Sequence, residues 1–492
     1  MAIYGYPAPK APKYNKPTSV EDCLAHARQL IKIASGEGSY GALRFTQSLY
    51  VLGPVNKGDR LLIVTYADQD KYVREAITQA YKEAGAEKVD FVYEHELLGK
   101  KPEAFSVEDS WREVENLKQQ AGKSSLDGVL PVPVAVGRYL DKHPEYTAVR
   151  FGVAGGAHML GPAGHLVQAL KEHGEKHKGY WVLNNWEEFF SKAWVFPLEL
   201  TQAIEMRIYD AIGEASAVRI TDPEGTYLEY SLTAEEAKRW QLHSFNPTHL
   251  FLDPLQGTVQ EIVGWLPSNV PPIFHKPNGV LAGTANHMGF LPRIELYFKD
   301  GRLVEVKGGG KYGDGIGELM DKWQDIHWPG WPDKGYFWLC DSALCTAIKA
   351  FRRTSDMFNC YEFYPNLFER TRMGVFHHGF GYRRHGEESV RYLKEHNLPG
   401  FHIHVHNYFT TFEVKLRGTK YWHKIVDKGW VTAMDDPDIR ALACKFGDPD
   451  ELLSYDWIPP LPGINCEGNY LQDYAPDPIA YLKKRLSKGE PI

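Results

Sequence analysis

Three histidines alternate with apolar residues in one short segment of the C-terminal third, at His402, His404 and His406. In a β-strand successive side chains point to opposite faces, so these imidazoles would share one face of a sheet. Neutral imidazole is the commonest protein ligand for transition metals. A histidine pair, His377-His378, lies a short distance upstream. The spacing therefore predicts a metal centre in this part of the chain.

The first half of the chain has the pattern of an α/β unit. Arg60–Thr65 (RLLIVT) is a continuous apolar run typical of a buried strand. The spacing predicts a helix from about Asp70 to Ala84, then strands at Val89–Tyr93 and Ala148–Val153. Strands that alternate with helices indicate a mainly parallel sheet, and we expect this α/β domain to span residues 1–213.

The second half, residues 214–492, has the pattern of an α+β domain with a mixed or antiparallel sheet. Short turns join its predicted strands, as in hairpins. The strands are expected at Ala217–Thr221, Tyr227–Leu232, Arg293–Phe298 and Val304–Val306. The glycine-rich stretch 307–314 (KGGGKYGD) is either an anion-holding loop or a flexible turn, and its composition favours the turn.

Composition limits the class of protein and its partners. Of the 492 residues 43% are hydrophobic and 24% are charged, as in soluble globular proteins. The net charge of −7 gives no sign of nucleic-acid or anionic-membrane binding. The six cysteines do not form a disulfide framework in so long a chain. With neither a signal-peptide core nor a membrane-length apolar run, we expect a cytoplasmic protein.

Two short motifs carry a family resemblance. Gly374–Gly381 (GVFHHGFG) is similar to a G-x-x-H-x-A-x-G stretch, and Ile403–His406 (IHVH) is similar to an H-x-D pair. Both belong to the aminopeptidase T-like metallopeptidase superfamily, which also includes 2,5-dihydroxypyridine ring-cleaving dioxygenases. Further similar segments are 58–63, 85–89, 222–228, 278–284 and 300–306. The resemblance implies a C-terminal metal-binding catalytic domain, and a homodimer or higher homo-oligomer.

The chain departs from the peptidase pattern at several metal ligands. Peptidases of this superfamily hold two metals with two Glu, a Tyr, two His and an Asp. Here Glu362 supplies one Glu, whereas His275 stands near the place of the other. Arg384 replaces the Tyr, and His406 replaces the Asp. Because a two-metal hydrolase needs bridging carboxylates, the second metal should be lost.

The ligand set that the resemblance leaves is His377, His404 and His406. Three imidazoles with open positions are a variant of the facial triad of non-haem Fe(II) oxygenases. The sequence thus favours a mononuclear Fe(II) oxygenase that uses O₂ to cleave or oxidise a small hydroxylated aromatic or heteroaromatic ring. The alternative is an aminopeptidase or other metallohydrolase that uses Zn, Co or Mn, because zinc in a three-histidine site activates water.

Other residues have expected roles around this centre. His402 and Glu362 would manage protons; otherwise His402 begins a solvated strand and Glu362 is a surface charge. Arg384 would orient an acidic group of the substrate, or it belongs to a solvated basic turn. His378 is a substrate contact, and it replaces His377 as ligand if the register shifts by one residue. His275 and His287 are candidates for the substrate pocket.

Overall fold

The computed structural model describes most residues of the chain. They are 3–12, 14–34, 52, 55–121, 131–151, 186–241, 249–251, 276–331, 333–361, 365–366, 372–382, 386–399 and 402–490. The α-helices are α1 Val20–Ala34, α2 Lys71–Glu83, α3 Glu94–Leu97, α4 Arg112–Gln120, α5 Pro131–Lys142, α6 Trp186–Phe190, α7 Leu198–Gly213, α8 Ala234–Gln241, α9 Gly310–Lys322, α10 Gly386–Glu395, α11 Pro437–Ala443, α12 Pro449–Leu452 and α13 Pro478–Ser487. None of these helices combines the length and apolar character needed to cross a bilayer.

The strands form two sheets of different type. They are β1 Arg60–Thr65, β2 Lys88–Tyr93, β3 Ala148–Phe151, β4 Ala215–Thr221, β5 Tyr227–Ser231, β6 His249–Phe251, β7 Asn278–Ala285, β8 Phe290–Lys299, β9 Arg302–Gly308, β10 Trp338–Cys345, β11 Phe376–Gly381, β12 His402–Asn407, β13 Thr411–Leu416, β14 Trp422–Asp427 and β15 Trp430–Val431. The first three make a parallel sheet in the order β2-β1-β3, and the others make an antiparallel sheet. The predicted mixture of parallel and antiparallel sheets is confirmed.

The parallel sheet follows directly from its sequence pattern. Five consecutive side chains of β1 are buried, as a strand covered on both faces requires. Helix α2 begins where the Asp70 carboxylate accepts hydrogen bonds from the backbone N–H groups of Tyr72 and Val73. The apolar stripe of α2, including Val73 and Ile77, belongs to the same buried cluster as the residues of β1.

The antiparallel sheet contains a closed ring of strands. Neighbouring strands pair in the order β7, β8, β9, β10, β11 and β12, and β12 pairs back onto β7 at His406 and Ala285. Six strands are therefore linked edge to edge within the described chain. The remaining strands extend the sheet from β7 through β5, β4, β13 and β14 to β15, while β6 pairs with β10.

The glycine-rich stretch 307–314 is not the flexible turn that its composition predicts. Strand β9 ends at Gly308 and helix α9 begins at Gly310. The φ angles of Gly308 and Gly309 are 70° and 79°, in the left-handed region that glycine adopts without a Cβ penalty. Gly310, with a φ of 52°, is left-handed as well, and residues 311–314 continue into the first turn of α9.

The described residues form two apolar cores, and each core contains residues from both sides of position 213. Val107, Val114 and Leu117 precede residue 213, yet they pack in the core of the antiparallel sheet. Met288 follows residue 213, and it packs in the core of the parallel sheet. Each predicted domain thus contributes a few residues to the core of the other. The division at 213/214 stays a prediction.

A pair of buried carboxyl groups joins the β4–β5 turn to distant segments. Glu224 accepts hydrogen bonds from the hydroxyls of Thr284, at 2.6 Å, and Tyr470, at 2.7 Å. Asp222 accepts from the backbone N–H groups of Glu224 and Phe409. Burial, followed by the charge of Asp222, raises the pKa of Glu224 to about 8. Burial also raises the pKa of Asp222, to about 6.

Glu224→Gln should change how stability depends on pH. The folded pKa of about 8 exceeds the ordinary value of 4.5, so between these values the folded state keeps a proton that the unfolded state has released. Stability of the wild type therefore falls with rising pH over this window, by at most about 1.4 kcal/mol per pH unit from this group. Denaturant unfolding between pH 6 and pH 8 should show a flatter decline for Glu224→Gln.

Glu229→Gln is the matched control, because this carboxyl lies on β5 and its pKa is lowered. A lowered pKa affects stability only in acid, so this variant should keep the wild-type slope between pH 6 and pH 8. Equal slopes for wild type and Glu224→Gln would contradict the prediction.

Candidate metal centre

The pairing of β11 with β12 sets the face on which the histidines lie. His377 lies directly opposite His406, and Gly379 lies opposite His404. With two-residue alternation along each strand, His377 and the three histidines of β12 share one face of the sheet. His404 thus faces a residue without a side chain on the neighbouring strand.

A fifth histidine reaches this face from the loop between β7 and β8. The side-chain oxygen of Asn286 accepts hydrogen bonds from the backbone N–H groups of Met288 and Gly289, both at 3.0 Å. The Asn286 amide in turn donates to the carbonyl of Ser110 at 3.0 Å. This tight turn fixes the backbone around His287, whose side chain is directed toward the histidine face.

Three histidines have donor atoms close enough together to share one ion. The ring-nitrogen donors of His287, His377 and His404 lie within 4.8 Å of one another. The ring centroids of His287 and His404 are 3.6 Å apart, and those of His377 and His404 are 4.5 Å apart. Each of the three side chains is at most 3% exposed. The structure thus contains a buried three-histidine candidate metal site.

His406 is linked to this group through His287. His406 Nε2 and His287 Nδ1 are 2.8 Å apart, which fits a hydrogen bond from one ring to the other. The same distance also fits two ligands of one ion, because nitrogens about 2.0–2.1 Å from a metal and at right angles lie about 2.9 Å apart. His287 and His406 are therefore both candidates for the third ligand.

A buried carboxylate and a tyrosine contact the ring and the backbone of His404. Glu113 Oε1 lies 2.5 Å from His404 Nδ1, and Glu113 Oε2 accepts from the backbone N–H of His404 at 3.2 Å. The Tyr312 hydroxyl lies 2.9 Å from Glu113 Oε2. Burial, and then the charge of Glu113, holds the pKa of Tyr312 well above its usual range, so its hydroxyl remains a donor. With Nδ1 engaged by Glu113, a metal would meet His404 through Nε2.

The histidines predicted from the sequence occupy different positions relative to this group. His377 and His404 lie in the three-histidine group, and His406 contacts it. The His402 ring stands 4.7 Å from the His404 ring, one alternation along the strand. His378 is directed to the opposite face, where its Nδ1 lies 2.8 Å from Ser342 Oγ.

Three predicted residues fall outside the described residues: Glu362, His275 and Arg384. Their expected roles in proton transfer and substrate binding stay predictions.

Glu113 and Tyr312 were missed by the sequence analysis. Glu113 lies 291 positions from His404, in a helix with one other glutamate, and no local motif distinguishes it. Tyr312 lies in the glycine-rich stretch that was interpreted as a turn. A helical interpretation of 310–322 would have placed Tyr312, Ile316 and Leu319 on one buried stripe.

Comparisons with known proteins give distant structural matches only. No family model and no curated protein matches the chain. The structure of 2,5-dihydroxypyridine dioxygenase from Pseudomonas putida KT2440 aligns at 13% identity and a TM-score of 0.43, over 84% of this chain and 98% of that chain. Wild-type AmpT from Thermus thermophilus aligns at 15% identity and a TM-score of 0.39, over 82% and 98%. At these values the alignments assign neither an activity nor a ligand to this chain.

His404→Ala should abolish tight metal binding, because His404 belongs to the three-histidine group and is held by Glu113. We expect affinity to fall by more than about 100-fold, the upper end for losing only a supporting contact. Metal content after dialysis, measured by elemental analysis, tests this expectation. His378→Gln is the matched control, since this histidine is also buried but lies on the other face of the sheet. Wild-type metal content in His404→Ala would show that the cluster is not the site.

Proposed function

We propose that the histidine cluster binds a single divalent transition metal, Fe(II), and that the protein is a mononuclear oxygenase. The observation that carries the proposal is the buried group His287, His377 and His404, with donor atoms within 4.8 Å. Both this geometry and the sequence motifs support His377 and His404 as ligands. The third ligand is His287 by proximity or His406 by sequence.

The type of ligand supports one metal rather than two. Among the described residues, the group of potential ligands consists of histidines alone. Glu113, a carboxylate that touches this group, contacts His404 rather than bridging two donor sets. Two dications held about 3.5–4 Å apart need bridging negative charge, which neutral imidazoles do not supply.

Such a centre would suit a small, anionic, chelating substrate. When bound, the metal would supply adjacent open positions for substrate and O₂, as in facial-triad oxygenases. Neutral imidazoles leave the dication with its charge, which favours a deprotonated hydroxyl on an aromatic or heteroaromatic ring. His402 would hold or release a proton beside the substrate, because its ring is 4.7 Å from that of His404. The resemblance of the sequence motifs to the ring-cleaving dioxygenases supports the same substrate class.

The second candidate is a metallohydrolase. The observation that favours it is the same three-histidine set, because zinc held by three histidines activates water at neutral pH. Glu113 hydrogen-bonded to a ligand histidine suits a zinc site equally well.

Metal identity and oxygen use should separate the two candidates. Protein purified without oxygen and loaded with Fe(II) should hold one iron per chain and consume O₂ with 2,5-dihydroxypyridine or a catechol. An oxygen electrode and ultraviolet spectra of the product measure this, with the zinc-loaded protein as control. Two metals per chain, together with release of p-nitroaniline from an amino-acyl anilide, would exclude the oxygenase.

Separate alanine variants should identify the third ligand. If His287 binds the metal and His406 only holds its ring, His287→Ala should lose metal while His406→Ala is weakened by about 10–100-fold. The reverse order would assign the ligand to His406 and the supporting contact to His287. Competition with a chromophoric chelator measures both affinities, and equal wild-type affinity in both variants would contradict the proposed cluster.

A further inference from the structure

Glu113 lies at a position where it can control how His404 binds a metal. Its carboxylate is fully buried, as is the His404 ring. A buried carboxylate is costly unless donors surround it. Glu113 receives the backbone N–H of His404, the Tyr312 hydroxyl and a contact with His404 Nδ1. Both carboxylate oxygens are therefore in use, and the arrangement fixes the rotation of the imidazole.

We infer that Glu113 is a positioning residue of the metal centre, which fixes the His404 tautomer and supplies negative charge. The inference rests on the proposed metal site. If Nε2 of His404 binds a metal, the ring is neutral and carries its proton on Nδ1, which then donates to Glu113. A carboxylate that accepts this proton makes the imidazole a stronger donor to the metal. A divalent ion held by three neutral imidazoles has a charge of +2, which one carboxylate anion lowers to +1.

The helix that carries Glu113 is held firmly against α9. Gly315 of α9 allows this close approach, because a Cβ there would lie 2.8 Å from a methyl group of Val114. Lys118 and Glu318 form an ion pair at 2.6 Å between the same two helices. Glu113 and Tyr312 thereby lie side by side at the edge of β12, where both contact the backbone of His404. Rigid support of this kind is what a residue needs in order to orient a ligand.

A purely structural role makes a different prediction from a positioning role. If Glu113 only fastens α4 to β12, its replacement lowers stability and leaves the metal affinity of the folded protein unchanged. If Glu113 positions His404, its replacement also weakens metal binding. With iron bound, loss of the carboxylate should raise the Fe(III)/Fe(II) reduction potential, because negative charge favours the more highly charged ion.

The test compares Glu113→Gln, Glu113→Asp and Tyr312→Phe with the wild type. Glutamine keeps the shape but removes the charge, so affinity for Zn(II) and Fe(II) should fall about 10–100-fold. Aspartate keeps the charge and should restore part of that loss. Tyr312→Phe removes a hydroxyl that contacts both the carboxylate and the backbone of His404, and should have a smaller effect. Glu115→Gln, on the same helix, is the control and should bind like the wild type.

The readouts are metal affinity by chelator competition, the reduction potential of the iron form, and thermal unfolding with circular dichroism. Folded Glu113→Gln with wild-type affinity and potential would overturn the inference while His404→Ala still supports the metal site. Wild-type protein that binds neither metal would overturn the proposed function as well. If Glu113→Gln does not fold, Glu113→Asp decides: a folded aspartate variant with unchanged affinity and potential would overturn the inference, and weaker binding would support it.

Discussion

The register between β11 and β12 is the constraint on which the rest of the structure depends. It places His377 opposite His406, and the two-residue period then sets every other histidine of the pair. A slip of one residue would move the histidines of β12 to the apolar face of the sheet. The apolar residues Ile403 and Val405, both fully buried, oppose such a slip because they would move to the polar face. Packing of the apolar face thus keeps the histidines on the other face.

Much of this arrangement is local and was therefore predictable. Alternation alone places His402, His404 and His406 on one face, and the apolar run 60–65 predicts β1 with the bounds that the structure shows. The parallel sheet follows from β-α-β order in the same way. Each of these conclusions depends on neighbours within about one element, which is the range over which sequence periodicity operates.

The remainder could not be predicted because it depends on which distant segments meet. Glu113 resembles Glu115, the other glutamate of its helix, until its side chain is placed against His404, 291 residues later. His287 was assigned to a pocket, but its 2.8 Å contact with His406 depends on a ring of strands that no local pattern indicates. Gly308 and Gly309 provide a tight corner rather than flexibility, since a helix starts directly after them.

The closed ring of strands also has a consequence for the order of folding. His287 and His406 are 119 positions apart, and strands β8 to β11 lie between β7 and β12 both in sequence and around the ring. Contacts of such long range form slowly, because their loop-closure entropy is lost before they gain any stabilisation. The histidines would therefore meet late in folding. An ion that binds only the assembled group would stabilise the native state by mass action, so metal supply would affect how much folded protein accumulates.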